Sequence, residues 1–173
     1  YGLVGSEMCI RDRVTFNEYF DTFVPASKQV GQMQTLLENL YKQETTFGET
    51  AFSALCGHLG KHVNKRSFLV LYTNFSNMTS LNRQLVYLQQ LARQHRVLVV
   101  FFEDADLKEY IAGKSVTTED YYRHVIAEKF AFEKRLIVST LKQHGIYSLL
   151  TTPDKLSIDV INKYLEMKSR QLL

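Results

Sequence analysis

The chain has 173 residues, of which 45% are hydrophobic and 23% are charged, and its formal net charge is +3. This length fits one domain that buries about two thirds of its unfolded surface, and the apolar fraction excludes wholesale disorder. The small, scattered positive excess argues against nucleic acid as a partner, and no stretch approaches the roughly 18 apolar residues of a membrane span.

Residues 1–13 show neither helical nor strand periodicity. Their text, YGLVGSEMCIRDR, resembles translated sequencing-adapter sequence, and we interpret the segment as non-native or disordered. The folded part is then predicted to cover residues 14–173. Once the segment is set aside, Cys56 is the single remaining cysteine, which is consistent with a reducing compartment such as the cytoplasm.

The first third of the folded part predicts a hairpin followed by two helices. Short β-prone runs over 14–16 and 20–24 flank a polar gap, which is typical of a hairpin. Apolar residues at helical spacing up to Tyr41 indicate an amphipathic helix. A second helix is predicted over 50–62, with Thr50 as its cap. Its buried face is predicted to consist of Phe52, Leu55, Cys56 and Leu59.

Three continuously apolar runs, at 67–73, 96–102 and 146–150, predict buried parallel strands. Helices are predicted at 80–94 and 120–143, the latter stopped by Gly145, and a last helix is predicted with Thr152 as its cap and Pro153 at its first position. The alternation predicts an α/β fold with a mostly parallel sheet and helices on both faces. The last two helices are predicted to bury apolar stripes made of Tyr122, Val125, Ile126, Phe130, Leu136, Ile137 and Leu141, and of Leu156, Val160, Ile161, Tyr164 and Leu165.

Polar side chains follow each predicted strand, where open α/β sheets bind their ligands. They lie at 73–76, 103–106 and 151–152, and their oxygen atoms could hold a hard cation such as Mg²⁺. Ordinary loop and cap chemistry also explains them, because Asn, Asp, Ser and Thr favour such positions. His58 and His62 share a helix face without a clear third metal ligand, so a solvated face is the simpler interpretation.

Several runs resemble the bacterial domain of unknown function 58 family. They are RSFLVLYTNF at 66–75, LQQLARQHRVLVVFFE at 88–103 and NKYLEMK at 162–168. The opening hairpin followed by FVPA at 23–26 fits as well, so the likeness covers residues 14–173. That family is similar to von Willebrand factor A domains, and the resemblance implies a Rossmann-like, doubly wound sheet with a metal-ion-dependent adhesion site at the strand ends.

The resemblance implies that this adhesion-type site is degenerate here. Thr50 would be its threonine, and Asn74 stands where an aspartate is common. An amide oxygen carries no negative charge, so cation affinity should fall. The Asp-x-Ser-x-Ser loop of the family is absent from the sequence, so the first strand of the sheet is predicted to be missing, and Mg²⁺ is expected only in intact full-length relatives.

The resemblance also implies a non-enzymatic protein–protein interaction module. It would act beside a MoxR-type AAA ATPase in the assembly or maturation of complexes, with Thr73, Phe75 and Glu103 contacting the partner. Full-length relatives resemble proteins with membrane helices, whereas this fragment is predicted to be cytoplasmic. The alternative is a magnesium-dependent small-ligand or phosphoryl-transfer enzyme that uses Glu103, Asp104 and Asp106.

Overall fold

A computed structural model describes residues 13–16, 20–24, 32–42, 50–75, 77–103, 107, 110–111, 113 and 117–172. The chain divides into two compact units, Tyr1–His62 and Val63–Leu173. Of the predicted non-native segment, only Arg13 lies among the described residues.

The first unit contains a hairpin and two helices. Strands β1 (Arg13–Phe16) and β2 (Phe20–Val24) pair antiparallel, which confirms the predicted hairpin. Helix α1 spans Gln32–Tyr41 and α2 spans Phe52–His62. The predicted apolar face of α2 is buried, and the Phe52 ring meets the Phe16 ring edge-on, with ring centroids 5.3 Å apart.

The second unit is α/β, with a three-stranded parallel sheet flanked by helices, an arrangement compatible with a Rossmann-like fold. Its elements are β3 (Phe68–Tyr72), α3 (Met78–Gln94), β4 (Arg96–Phe102), α4 (Thr118–Gln143), β5 (Tyr147–Thr151) and α5 (Leu156–Ser169). The strand order is β3-β4-β5, so β4 is central. Helices α3 and α4 contact each other, as expected because right-handed crossovers along the order β3-β4-β5 place both helices on the same face of the sheet.

The core lies around β4, because a central parallel strand is covered from both faces and from both edges. All five residues from Val97 to Phe101 are buried. The edge strands β3 and β5 are mostly half-buried. Within the described part of the chain, no strand pairs with the free edge of β3, and none pairs with the free edge of β5.

Helix α4 ends just before Gly145, as the sequence predicted. Gly145 adopts a left-handed φ of 72°. Its N–H donates to the Lys142 carbonyl oxygen at 3.0 Å, and the N–H of Ile146 donates to the Leu141 carbonyl oxygen at 2.9 Å. These two bonds form a Schellman motif, which satisfies carbonyl groups that the helix leaves without partners.

Replacing Gly145 with alanine should lower the free energy of unfolding by about 1–2 kcal/mol, since a Cβ is strained in this conformation. Gly57 offers a control of opposite sign, because a Cβ there meets nothing within 4 Å inside α2. Gly57→Ala should therefore raise the free energy of unfolding by up to about 1 kcal/mol. Urea denaturation of both variants measures the two changes in the free energy of unfolding. If both changes had the same sign, the left-handed helix-ending role of Gly145 would be refuted.

Four helix starts differ from the prediction. Helix α2 begins at Phe52 and not at the predicted residue 50, so Thr50 does not directly precede it, and α4 begins at Thr118, two residues before the predicted start. Helix α5 begins at Leu156, preceded by Lys155, and has no side-chain cap. The prediction of Thr152 as its cap was wrong, because residues 153–155 form a turn in which the Lys155 N–H donates to the Thr152 carbonyl oxygen. Helix α3 begins at Met78, two residues before the predicted start, because the Asn77 side chain caps it.

The predicted burial of the α4 and α5 stripes was wrong in part. Ile137 and Leu141 are fully buried. The remaining members of the α4 stripe are exposed: Tyr122, Val125, Ile126, Phe130 and Leu136. On α5, Ile161 and Leu165 are exposed as well. Among the described helices, none has both the length and the apolar character needed to cross a bilayer.

Candidate functional site

The carboxyl ends of the three parallel strands meet at one edge of the sheet, called here the carboxyl edge. The Thr73 N–H donates to the Val100 carbonyl oxygen at 3.1 Å, and the Glu103 N–H donates to the Thr151 carbonyl oxygen at 2.9 Å. These bonds continue the ladder one residue beyond β3 and β4. They fix the backbone from which the side chains of Thr73 and Glu103 project.

The segment after β3 places its three predicted site residues at different depths. Thr73 is half-buried and Asn74 is exposed. Phe75 is only 5% exposed, and its ring packs on Phe101 with centroids 5.9 Å apart. Phe75 therefore packs against β4 and supports the carboxyl edge. Because it exposes little surface, it can influence the binding of a partner only indirectly.

Glu103 lines a pocket of about 230 Å³, called here the edge pocket. The residues around it come from the ends of β4 and β5, from the segment after β4 and from α4. Those among the described residues are Glu103, Leu107, Ile111, Ala131, Lys134, Arg135 and Leu150. Four of these are aliphatic, one is acidic and two are basic, so the described part of the lining is mainly apolar and carries a net positive charge.

The two cations differ in how firmly they are held. The Lys134 ammonium donates to the Phe102 carbonyl oxygen at 2.6 Å, at the carboxyl end of β4. Such a bond ties α4 to the sheet and keeps this charge close to the pocket. Arg135 is exposed, and its Nε donates to the Ala131 carbonyl oxygen at 3.3 Å. Within the described part of the chain its terminal guanidinium nitrogens have no hydrogen-bonded partner, so they can meet an anionic group.

Helix α5 is attached at the same edge. Thr151, at the end of β5, is 3% exposed, and its hydroxyl donates to the carboxylate of Asp159 on α5. A buried hydroxyl needs such a partner, since an unsatisfied one is costly. We therefore assign Thr151 a structural role at the carboxyl edge.

The sequence interpretation missed the α4 contribution to the edge pocket. Ala131, Lys134 and Arg135 are spaced i, i+3 and i+4, so they share one helix face. That spacing was visible, but the interpretation treated α4 only as an apolar stripe. The pairing of this face with Leu150 depends on how α4 packs on β5, which one sequence does not specify.

No protein-family model, curated protein or solved structure matches the chain. Its membership of a family therefore stays a prediction.

The metal site predicted from Thr50 and Asn74 stays a prediction. Thr50 belongs to the first unit and Asn74 to the second. The described residues contain no group of three or more His, Cys, Asp or Glu side chains placed to hold a metal ion. Asp104 and Asp106, which the enzymatic alternative requires, lie outside the described residues.

Helix α2 carries two histidines and a cysteine. The His58 and His62 rings stack with centroids 4.0 Å apart, and His62 Nδ1 lies 3.0 Å from the His58 carbonyl oxygen. Burial, then the neighbouring His62 and Lys61, lower the pKa of His58. Burial raises the pKa of the Cys56 thiol to about 11, so it stays protonated at neutral pH and is a poor nucleophile.

Proposed function

We propose that this chain is a non-enzymatic protein–protein interaction module that binds its partner at the carboxyl edge. The edge pocket is the observation that carries this proposal. Small-molecule sites usually enclose about 300–1,000 Å³, and the edge pocket, at about 230 Å³, is smaller. It suits a single apolar side chain inserted from a partner, which is how interfaces commonly anchor themselves.

The charges at the rim define the partner's chemistry further. Arg135 is exposed beside the apolar interior, and Lys134 adds a second positive charge. Arginine binds carboxylates through two parallel N–H groups, which gives both energy and orientation. The partner segment that fits best presents an apolar side chain next to an aspartate or glutamate.

We further propose that the fold is of the von Willebrand factor A type and that the chain belongs to the domain of unknown function 58 family. The parallel order β3-β4-β5 supports this, because it agrees with the outer half of a doubly wound sheet. The free edge of β3 is where such a sheet continues toward its first strand. The family resemblance then points to a MoxR-type AAA ATPase as the partner and to a cytoplasmic site of action.

Interferometry tests the proposal. The full chain is immobilised, and the binding of a purified MoxR-type ATPase from the same genome is measured. We expect saturable binding, weakened about tenfold or more by Arg135→Glu, because buried charge pairs lose several kcal/mol when one partner is reversed. Lys142→Glu is the matched control, since Lys142 is also an exposed cation on α4 but does not line the edge pocket.

Absence of binding to the wild-type chain would refute the ATPase as the partner. Equal weakening by Arg135→Glu and Lys142→Glu would show a general charge effect and refute the edge pocket as the site. Circular dichroism of each variant checks that its helices remain folded.

A further inference from the structure

The edge pocket has more room than a single six-membered ring requires. A cavity of about 150 Å³ is enough to hold a benzene molecule, whereas the edge pocket measures about 230 Å³. A small occupant would leave part of the lining without van der Waals contacts, and many such contacts together make packing favourable. The volume therefore favours a large aromatic side chain, and an indole, with its second fused ring, uses the most of it.

The smallest side chain of the described lining leaves this room. Ala131 is half-buried on α4, and it shares one helix face with Lys134 and Arg135. The other three aliphatic residues of the described lining are leucines or an isoleucine. A leucine at position 131 would add an isopropyl group to the pocket, so Ala131 is the residue that admits a large side chain.

Arg135 offers more to an aromatic ring than to an aliphatic side chain. Its Nε donates to the Ala131 carbonyl oxygen at 3.3 Å, which holds the guanidinium close to the pocket. The face of a planar guanidinium stacks on aromatic rings, while its N–H groups bind carboxylates. One arginine can therefore hold a ring and a neighbouring acidic residue together, because the two contacts use different sides of the group.

Glu103 selects among aromatic side chains. It is half-buried in a described lining that is mainly apolar. A purely apolar occupant displaces water from this carboxylate and returns no hydrogen bond, which is costly. An ionised carboxylate has about four acceptor sites, so it can take a further donor in addition to its contacts within the chain. Tryptophan supplies that donor from its indole N–H, whereas phenylalanine has none.

We propose that the edge pocket binds a tryptophan side chain of the partner, flanked by an aspartate or glutamate that Arg135 holds. Tyrosine also carries a donor, but its single ring fills less of the volume. The inference rests on the proposed function and narrows the partner's anchor from an apolar side chain to an indole. Tryptophan is also among the residues most enriched at the energetic centres of interfaces.

The protein itself contains no tryptophan, so indole emission reports on the ligand alone. The probe is the acetylated, amidated tetrapeptide Ala-Trp-Glu-Ala, titrated with the full chain. Its emission should shift to the blue and saturate, because the ring leaves water for the pocket. The same tetrapeptide with leucine in place of tryptophan should compete at least about fivefold more weakly, since leucine offers neither a cation–π contact nor the N–H.

A tetrapeptide with 1-methyltryptophan separates the ring from its donor. It keeps the indole emission but lacks the N–H, so it should bind the wild-type chain about threefold or more weakly. Glu103→Ala removes the acceptor, and this variant should bind the two peptides equally. Equal binding of the two peptides by the wild-type chain would refute the Glu103 contact and, with it, the choice of tryptophan.

Ala131→Leu fills the pocket and should weaken binding of the tryptophan tetrapeptide at least about tenfold, because a filled pocket cannot take the ring without strain. Ala92→Leu is the matched control, since Ala92 is also a half-buried alanine on a helix of the second unit, α3, but does not line the edge pocket. It should leave the dissociation constant unchanged. Circular dichroism of both variants checks that they are folded.

Equal competition by the leucine peptide overturns the inference but leaves the edge pocket as an apolar docking site, so the proposed function would stand. Unchanged binding by Ala131→Leu, or equal weakening by Ala92→Leu, also overturns it, because the probe would then bind elsewhere or respond to a general change. Absence of a saturable shift overturns it as well, and the binding of the ATPase then decides the proposed function separately.

Discussion

Replacing Leu98 with alanine is expected to lower the free energy of unfolding by about 2–5 kcal/mol, the largest effect among the substitutions considered. Leu98 is fully buried in β4. It is the register partner of Val70 in β3 and of Tyr147 in β5, so its side chain lies where all three strands meet. Removing it leaves a cavity on one face of the central strand, which can collapse only if the neighbouring elements move.

Val86→Ala is the matched control, because Val86 is 65% exposed on α3 and its truncation should change the free energy of unfolding by less than about 0.5 kcal/mol. Urea denaturation followed by circular dichroism gives both values. A loss below about 1 kcal/mol for Leu98→Ala would mean that β4 is not the centre of the core.

The sheet could be predicted from the sequence because its signal is local. Continuous apolar runs of five to seven residues are the expected signature of parallel strands covered on both faces. The prediction placed β4 at its observed bounds, Arg96–Phe102, and missed those of β3 and β5 by one residue at each end. The hairpin was predictable for a similar reason, since its two strands are only three residues apart.

Helix starts were predicted less well although their signals were present. Thr117 and Asp120 form a complete capping box, in which the Asp120 N–H donates to the Thr117 hydroxyl and the Thr117 N–H donates to the Asp120 carboxylate. The sequence carries the required spacing of three. Asn77 likewise accepts from the Ser80 N–H at 2.8 Å. A search for caps before the apolar periodicity would have found both starts.

The exposed face of α4 shows what periodicity cannot supply. Tyr122, Ile126 and Phe130 recur at helical spacing and were therefore expected in the core. The period establishes that one face is apolar, but not which neighbour covers it. The same limit applies to the edge pocket, where Leu150 and Arg135 meet only because α4 packs back on β5.

The free energy of unfolding is expected to fall as the pH drops from about 7.5 to about 5, with His95 contributing to the loss. His95 is 3% exposed in the turn between α3 and β4, and its Nδ1 accepts the Ser67 N–H at 3.3 Å. Because Nδ1 accepts, the neutral ring carries its proton on Nε2. Protonating Nδ1 would remove the acceptor from Ser67 and place a charge in the core.

Burial lowers the pKa of His95 in the folded chain below its usual 6.5. Above about pH 6.5 both states hold the ring neutral, and the full stability is present. As the pH falls through 6.5, the unfolded chain binds a proton that the folded chain resists, so the folded state loses stability until the lowered pKa is reached. The pH window of the loss therefore begins at 6.5 and extends downward.

His95→Gln isolates this contribution, because the glutamine amide oxygen can accept the Ser67 N–H but does not titrate. Its unfolding free energy should depend less on pH than that of the wild type, and the difference between the two should appear only below about pH 6.5. His58→Gln is the companion variant, because the pKa of His58 is also lowered and its share must be measured separately. A proton NMR titration that placed the pKa of the His95 ring above 6.5 would reverse the predicted sign, since protonation would then stabilise the fold.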